Sequence, residues 1–475
     1  MAITELNHPG NASVASQEQA SKTKIIYVSL LFLLSLTAFV CQTEFTSQAY
    51  KLGFGEPIIL LLVTHGSWWT LWPLQAFFVS LFKTIGKARG ARGVRYERLN
   101  SNAFLLQNEA GRPQTSSPVA AKFHPWNYFK RCVVKQIHNV YHSSILVYEP
   151  NVNGDKSTSN LGALVEKNPH LSASSSITSC IRSFMTTPSF KYVAFKVGLI
   201  SLVLNTAGFT WYGAMAMTYA SDVTAIYNCS AFTAYAFAIP LLNEKFSWLK
   251  ASSVIIAIAG VFVVAYSGSD SSSDSKEQYP YRFWGNLIIS IGAVLYGYYE
   301  VLYKKYVCVP AHLSVVVTPR RQSTFSNFVM SLLGFFTVIF LLLLVFCIEV
   351  FHIHRFNLFN YGEKTAIIWL YIFGSIVSNL LFSAGFLSLM ALTSPVLSSV
   401  SSLVTIFLIG VVEWVIFGNA LGIMQLIGDA LVIVGFVVLT IASWKEISEG
   451  NDDDEIEEAS LYSFAPSEET ANEMR

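Results

Sequence analysis

Four ionisable side chains stand inside otherwise apolar stretches: Lys196, Glu300, Glu413 and Asp429. A charge at the centre of a membrane-spanning helix costs about 2.5–3.5 kcal/mol even on insertion scales. Such groups therefore face a cavity, pair with one another or carry a proton. Glu413 and Asp429 have the chemistry of a coupling proton carrier, although a helix–helix hydrogen bond accounts for them equally well. His65, beside Gly66 and Trp68, can relay a proton or satisfy a neighbouring helix. Lys196 lies about one turn inside its stretch, from where its stem can snorkel to the interface or its amine can meet a solute. Glu300 belongs to the run Tyr296-Gly-Tyr-Tyr-Glu300-Val-Leu-Tyr303. Spacings of three and four place Tyr296, Tyr299, Glu300 and Tyr303 on one helix face. That face can stack a planar ligand and hydrogen-bond it, or it can form an interfacial aromatic belt.

The elements that must hold these residues are read from composition. The chain has 475 residues, 53% hydrophobic and only 13% charged, with mean hydropathy +0.47. Soluble domains carry about 25% charge, so a soluble enzyme, a disordered scaffold and a basic nucleic-acid binder are excluded. The 31 basic and 30 acidic side chains leave no bulk field for an anionic polymer.

Ten apolar stretches are long enough to be spans, at about 20 residues each. They cover approximately 25–40, 57–82, 192–219, 223–242, 251–267, 284–303, 325–348, 366–390, 395–416 and 421–443. The first is followed by Gln42, Thr43 and Glu44 rather than a small-residue cleavage site, which favours an uncleaved helix over a signal peptide. Twenty-five of the 31 basic residues fall on one side of this topology and five on the other. The positive-inside rule then places both termini in the cytoplasm.

The same reading gives an N-terminal tail over 1–24, a first five-helix unit over 25–267, a second over 268–443 and an acidic tail over 444–475. An insertion at 83–191 sits between the second and third spans. It opens on Lys83, Lys87, Arg89, Arg92, Arg95 and Arg98, an anchor on the cytoplasmic side or a contact for anionic lipid heads. Its composition predicts mostly disorder. Tyr96-Glu-Arg-Leu99 also fits a short tyrosine-based sorting signal. The tail carries eleven acids after Lys445, and two opposite charge runs on one membrane face suggest electrostatic docking between them.

The six cysteines show no C-x-x-C and none falls in a lumenal loop, so neither a disulfide framework nor a metal site is indicated. The sequon Asn11-Ala-Ser13 lies on the cytoplasmic side. No H-E-x-x-H, G-x-G-D or Walker loop is present, which removes a zinc protease, an aspartyl intramembrane protease and an ATP-driven pump. No cofactor is called for.

The chain also reads twice. Asn205, Ser221-Asp222-Val223 and Gly260 recur as Asn379, Ser394-Pro395-Val396 and Gly435, at offsets of 173 to 175 residues. Asn205 and Asn379 are therefore equivalent positions, suited to a central site or to an inter-repeat bond. A repeated unit with an odd number of spans must insert in opposite orientations, the architecture associated with alternating access. Gly208, Gly213, Gly260, Gly292, Gly297, Gly385 and Gly435 read as close helix contacts. The expected fold is an all-α polytopic membrane protein of ten helices in two inverted five-helix units.

Four passages are similar to the drug/metabolite transporter superfamily, in its EamA-like branch, and to the F type of solute carrier family 35. They are Pro57, Thr64, Ser67, Trp68 and Pro73; Asn205 with Ala216-Met-Thr-Tyr-Ala-Ser-Asp-Val-Thr-Ala225; Glu244-Lys245-Phe246; and Gly285-Asn286 with Gly292-Ala-Val-Leu-Tyr-Gly297 and Lys304-Lys305. The resemblance covers roughly 25–82 and 192–443. It implies ten helices, cytoplasmic ends, an inverted repeat, an endomembrane such as vacuole or Golgi, and secondary transport of a small polar solute. Nucleotide sugars and thiamine-like cations are the implied substrate classes. The chain departs from the pattern in its long insertion and in Glu300, where a small or hydroxylated residue is usual. A cationic ring suits the Tyr–Glu300 face by cation–π and charge attraction. A non-transporting scaffold or sensor that recruits partners through the insertion is the alternative. The partners expected are a small-molecule solute and the bilayer, with no nucleic acid; a homodimer is compatible with the reading.

Overall fold

The computed structural model describes residues 10–105, 124–152, 176–218, 226–267, 281–310, 319–392 and 423–449, with Val223, Val317 and Leu408 between them. About 89% of the described chain is helical, and no strand occurs among the described residues. Among the described residues, five helices are long and apolar enough to cross a membrane, within Ile26–Lys51, Pro188–Met215, Phe283–Val307, Arg320–Val350 and Gly362–Met390. The first, at 26 residues, extends about 39 Å, more than the roughly 30 Å of a hydrocarbon core. Shorter apolar helices occupy Ile226–Leu242, Trp248–Gly260 and Leu426–Leu439. The outer faces of the long helices stay apolar: Leu30, Leu343, Leu370 and Phe373 are all exposed. That is a surface suited to lipid tails rather than water, and the architecture is that of an all-α multi-pass membrane protein.

The chain divides into two compact units, one of residues 1–71 and 193–475 and one of residues 72–192. In the larger unit α1 is Gly10–Lys51, and α2 is Pro57–Gly66, followed by a 3-10 turn Ser67–Thr70. The second apolar stretch is thus broken where a continuous helix was expected. Pro73, which follows in α3 (Leu71–Leu105), has no N–H to return to the Trp69 carbonyl. Ser67 and Thr70 instead donate their hydroxyls to the carbonyls of Thr64 and Ser67, at 2.6 and 2.8 Å. The turn also lets a second backbone come close. Gly334 stands so near Trp68 and Trp69 that a Cβ there would strike their main chain.

The remaining helices of this unit are α6 (Pro188–Met215, shared across the unit boundary), α7 (Ser230–Leu242), α8 (Trp248–Ser267), α9 (Arg282–Val307), α10 (Pro319–Val350), α11 (Thr365–Leu392) and α12 (Ile423–Glu449). Asn243, left-handed at φ 56°, ends α7. The Tyr235 hydroxyl then pins the following loop, accepting from Ser247 N at 3.0 Å and donating to Ser247 O at 3.2 Å. Helix α1 packs along α11. Phe39 meets Phe382 at 4.9 Å and Thr46 meets Ser375 at 2.9 Å, so the two run antiparallel. Helix α6 runs antiparallel to α9, with Thr210 against Gly292 and the Thr218 hydroxyl donating to Asn286 Oδ1 at 2.9 Å. Helix α10 packs on α2 and the 3-10 turn, α7 on α9, and α8 on α12. At the last contact Gly435 lies against Ser253 and Ala257. Small residues set these close approaches because lipid supplies no hydrophobic drive between helices.

The second unit departs from expectation. The insertion predicted to be mostly disordered carries α3, α4 (Pro125–Val152) and α5 (Ile177–Thr186). Val134, Ile137, Val140, Tyr141 and Val147 of α4 are buried, as are Cys180 and Phe184 of α5. Tyr141 and Phe184 meet edge to face at 6.0 Å. The Ser176 hydroxyl caps α5 by accepting from Ser179 N at 3.2 Å. The helical period was hidden because Gln136, Ser143 and Ser144 sit among the buried positions. Ser144 is satisfied by donating to Tyr141 O and to Ser189 Oγ. Residues 106–123 and 153–175 of the insertion, and most of the acidic tail, lie outside the described residues.

Candidate functional site

The larger unit holds a cavity that is partly open at its mouth. Helix α1 contributes Phe39 and Gln42, α2 and the 3-10 turn contribute His65 and Trp68, and α6 contributes Trp211 and Tyr212. Tyr227 and Asn228 stand just before α7, Tyr296 and Tyr299 come from α9, and Asn379, Ser383 and Phe386 from α11. The walls are aromatic with a few neutral polar groups, the composition of a site that holds a ring by its faces and fixes its orientation by hydrogen bonds. No Lys, Arg, Asp or Glu is among the described lining residues.

The wall is built as a network. Trp68 Nε1 donates to Asn379 Oδ1 at 2.5 Å, joining the 3-10 turn to α11. The indole also stacks on His65, with ring centroids 4.0 Å apart. His65 meets Tyr212 edge-on at 5.9 Å. The Tyr212 hydroxyl bonds Thr64 Oγ1 at 2.9 Å and accepts from Gln42 Nε2 at 3.5 Å. Also on the wall, the rings of Tyr227 and Tyr296 approach to 4.9 Å, and Tyr296 and Tyr299 to 5.4 Å.

The residues singled out from sequence separate into distinct places. Tyr296, Tyr299, Asn379 and His65 line the cavity. Tyr303 continues the aromatic ladder at 6.5 Å from Tyr299 but is itself buried against a smaller space bounded by Cys308 and Gln322. Tyr299 and Tyr303 are 2% and 1% exposed, which removes the interfacial-belt reading for both. Glu300 is fully buried on the same helix and is not part of the cavity wall. Asn205 is buried off the wall and donates to Ser201 O at 2.8 Å and to Ser201 Oγ at 3.0 Å. The equivalence with Asn379 therefore does not extend to environment. Lys196 sits over the Tyr306 ring at 4.4 Å, away from the cavity. Asp429 lies on α12 with a side chain outside the described residues, as does all of Glu413. No group of three potential metal ligands occurs among the described residues.

Polar cavity residues passed over in sequence include Gln42, Tyr212, Tyr227, Asn228, Ser230 and Ser383. Neutral polar residues in apolar helices carry no distinguishing period, so nothing separates those facing a cavity from those bonding a neighbour. Trp68 did carry a signal, as part of the Pro57–Pro73 passage.

A second polar cluster lies outside the cavity. Glu56, at the start of α2, accepts from Asn357 N at 2.9 Å, and its two oxygens are 3.2 and 3.0 Å from His354 Nε2. It ties the α1–α2 connection to the α10–α11 connection. Nearby, burial raises the Tyr361 hydroxyl above its usual value of 10, and the Glu56 carboxylate adds to the effect.

No family model matches the chain. No curated protein matches it. A solved structure described only as "Crystal structure of protein" is similar at 13% identity and a TM-score of 0.37, over 66% of this chain and 88% of that one. That likeness is too slight to carry an argument about fold or function.

Proposed function

We propose that the chain is a secondary-active transporter that moves a small polar metabolite by alternating access, in the manner of the drug/metabolite transporters it resembles. On this reading the ten stretches are ten spans with cytoplasmic ends in an endomembrane such as vacuole or Golgi, and 25–267 and 268–443 form an inverted repeat. The observation that carries the proposal is the cavity, whose walls come from both halves: α1, α2 and α6 from the first, α9 and α11 from the second.

Reciprocal packing supports the repeat. Helix α1 with α11 pairs the first span of one half with the third of the other, and α9 with α6 pairs the same elements with the halves exchanged. Helix α2 with α10 pairs the two second spans, and α8 with α12 the two fifth spans. Each of these four contacts maps onto another or onto itself under exchange of halves, as a two-fold axis in the membrane plane requires. Such an arrangement can open to one side and then the other by rocking one half against its counterpart.

Between the two solute classes, the wall favours a thiamine-like cation or neutral ring. A nucleotide sugar brings a diphosphate, which needs arginine or lysine partners, and none is among the described lining residues. The test is flux in sealed proteoliposomes of purified protein, with labelled thiamine and a labelled nucleotide sugar offered in parallel. Uptake of the cation that is abolished by Tyr296→Ala or Asn379→Leu in folded protein is expected. Absence of flux and binding for both, with intact protein, leaves the scaffold reading in its place.

A further inference from the structure

The hydrogen-bond order at the cavity wall identifies what the solute must offer. The Thr64 hydroxyl donates to Leu60 O at 2.6 Å, with Leu61 O at 3.3 Å sharing the same proton. Thr64 has no second proton, so its 2.9 Å bond to Tyr212 must be one in which Tyr212 donates. With that proton committed, the Tyr212 oxygen can only accept, and it accepts from Gln42 Nε2 at 3.5 Å. The order sets the Gln42 carboxamide: its NH2 faces Tyr212, and its Oε1 faces the other way. Gln42 is 5% exposed and lines the cavity, and Oε1 has no hydrogen-bond partner in the protein. A buried carbonyl oxygen left in this state is destabilising until a donor reaches it.

We infer that Gln42 is a specificity-determining residue whose Oε1 reads a hydrogen-bond donor on the solute, and that the solute is a small flat ring carrying an amino or N–H group and no phosphate. The inference rests on the cavity being the solute site. The ring is held among the aromatic side chains of the wall, which include the stacked His65 and Trp68 and the paired Tyr227 and Tyr296. The Leu60–Thr64–Tyr212 chain acts at one remove, by holding the carboxamide in its orientation. A site with a fixed acceptor rejects an analogue lacking the donor far more strongly than a purely apolar pocket does, because the acceptor is then left unpaired.

The probes are 2-aminopyrimidine and pyrimidine, flat rings that differ in one donor group, with binding to the purified full-length protein read as ligand-induced shifts of the unfolding temperature. Wild type should bind the amino ring about tenfold more tightly than pyrimidine, the discrimination of roughly one buried hydrogen bond. Gln42→Leu should remove the preference. Tyr212→Phe, which frees the carboxamide to turn, should reduce the preference without touching the acceptor itself. Wild type that fails to distinguish the two rings, or Gln42→Leu that keeps the preference, overturns the inference. Ser383→Phe, which fills the cavity, separates the two levels of the argument. Both rings lost in folded Ser383→Phe with the preference intact in Gln42→Leu refutes the role of Gln42 alone. Both rings retained in Ser383→Phe refutes the cavity as the solute site.

Discussion

The bond from Trp68 Nε1 to Asn379 Oδ1 links the broken second span to α11 at the cavity wall, and its worth can be measured. Trp68 is 3% exposed and Asn379 2%. Trp68→Phe removes the donor and leaves the amide oxygen buried without that partner, a loss of about 1–3 kcal/mol. The smaller ring adds a packing loss that does not depend on Asn379. Asn379→Leu removes the acceptor at nearly constant volume, and once it is gone the indole N–H has nothing there to lose. The two changes should therefore fail to add. Interhelical hydrogen bonds in membrane proteins average about 0.6 kcal/mol in double-mutant cycles and reach about 1.7. A short bond between two buried groups belongs at the upper end, so we expect a coupling of about 1–1.5 kcal/mol. The assay is reversible unfolding in mixed micelles of wild type, both single variants and the double variant. Additivity within about 0.3–0.5 kcal/mol is the behaviour of independent sites. That result would refute the claim that this bond joins the second span to α11.

Two further perturbations bear on the frame around the cavity. Glu56→Gln weakens charge-assisted bonds to Asn357 N and His354 and should lower stability by about 1–3 kcal/mol; the same variant should bring the Tyr361 hydroxyl back toward 10, seen by ultraviolet titration, because one of the two causes that raise it is gone. In wild type the sign follows from that raised value: any stability it contributes is present below pH 10 and is lost as pH rises through the folded-state value. Gly334→Ala places a methyl group against the Trp68–Trp69 main chain and should reduce the yield of folded protein, whereas Gly55→Ala, with open space around it, should be tolerated in the same expression assay.

The parts of the fold readable in advance were those in which apolar character is unbroken over a membrane thickness. The stretches at 192–219, 325–348 and 366–390 correspond to α6, α10 and α11. The break at Ser67 was hidden because hydropathy does not register a missing backbone N–H, although Pro73 is the residue responsible. Helix α4 was hidden for the opposite reason, since serines and Gln136 occupy buried positions that hydropathy scores as exposed. At the site, helical spacing correctly grouped Tyr296 and Tyr299, because residues on one helix need only the 3.6-residue period. It could not place Glu300 behind the wall or Lys196 beside Tyr306, which depends on which neighbour each helix meets. Gln42 followed the first apolar run in plain view, yet its role depends on Thr64 and Tyr212, residues brought to it only by folding.

Alternating access is the central claim, and Ser383 gives it a direct test because it lines the cavity. Ser383→Cys is placed in a background with the six native cysteines replaced, reconstituted in sealed vesicles and exposed to a membrane-impermeant thiol reagent from one side or the other. The account predicts labelling from both sides, with a transported solute slowing both reactions. Labelling from one side only, unaffected by any solute that binds, would contradict it.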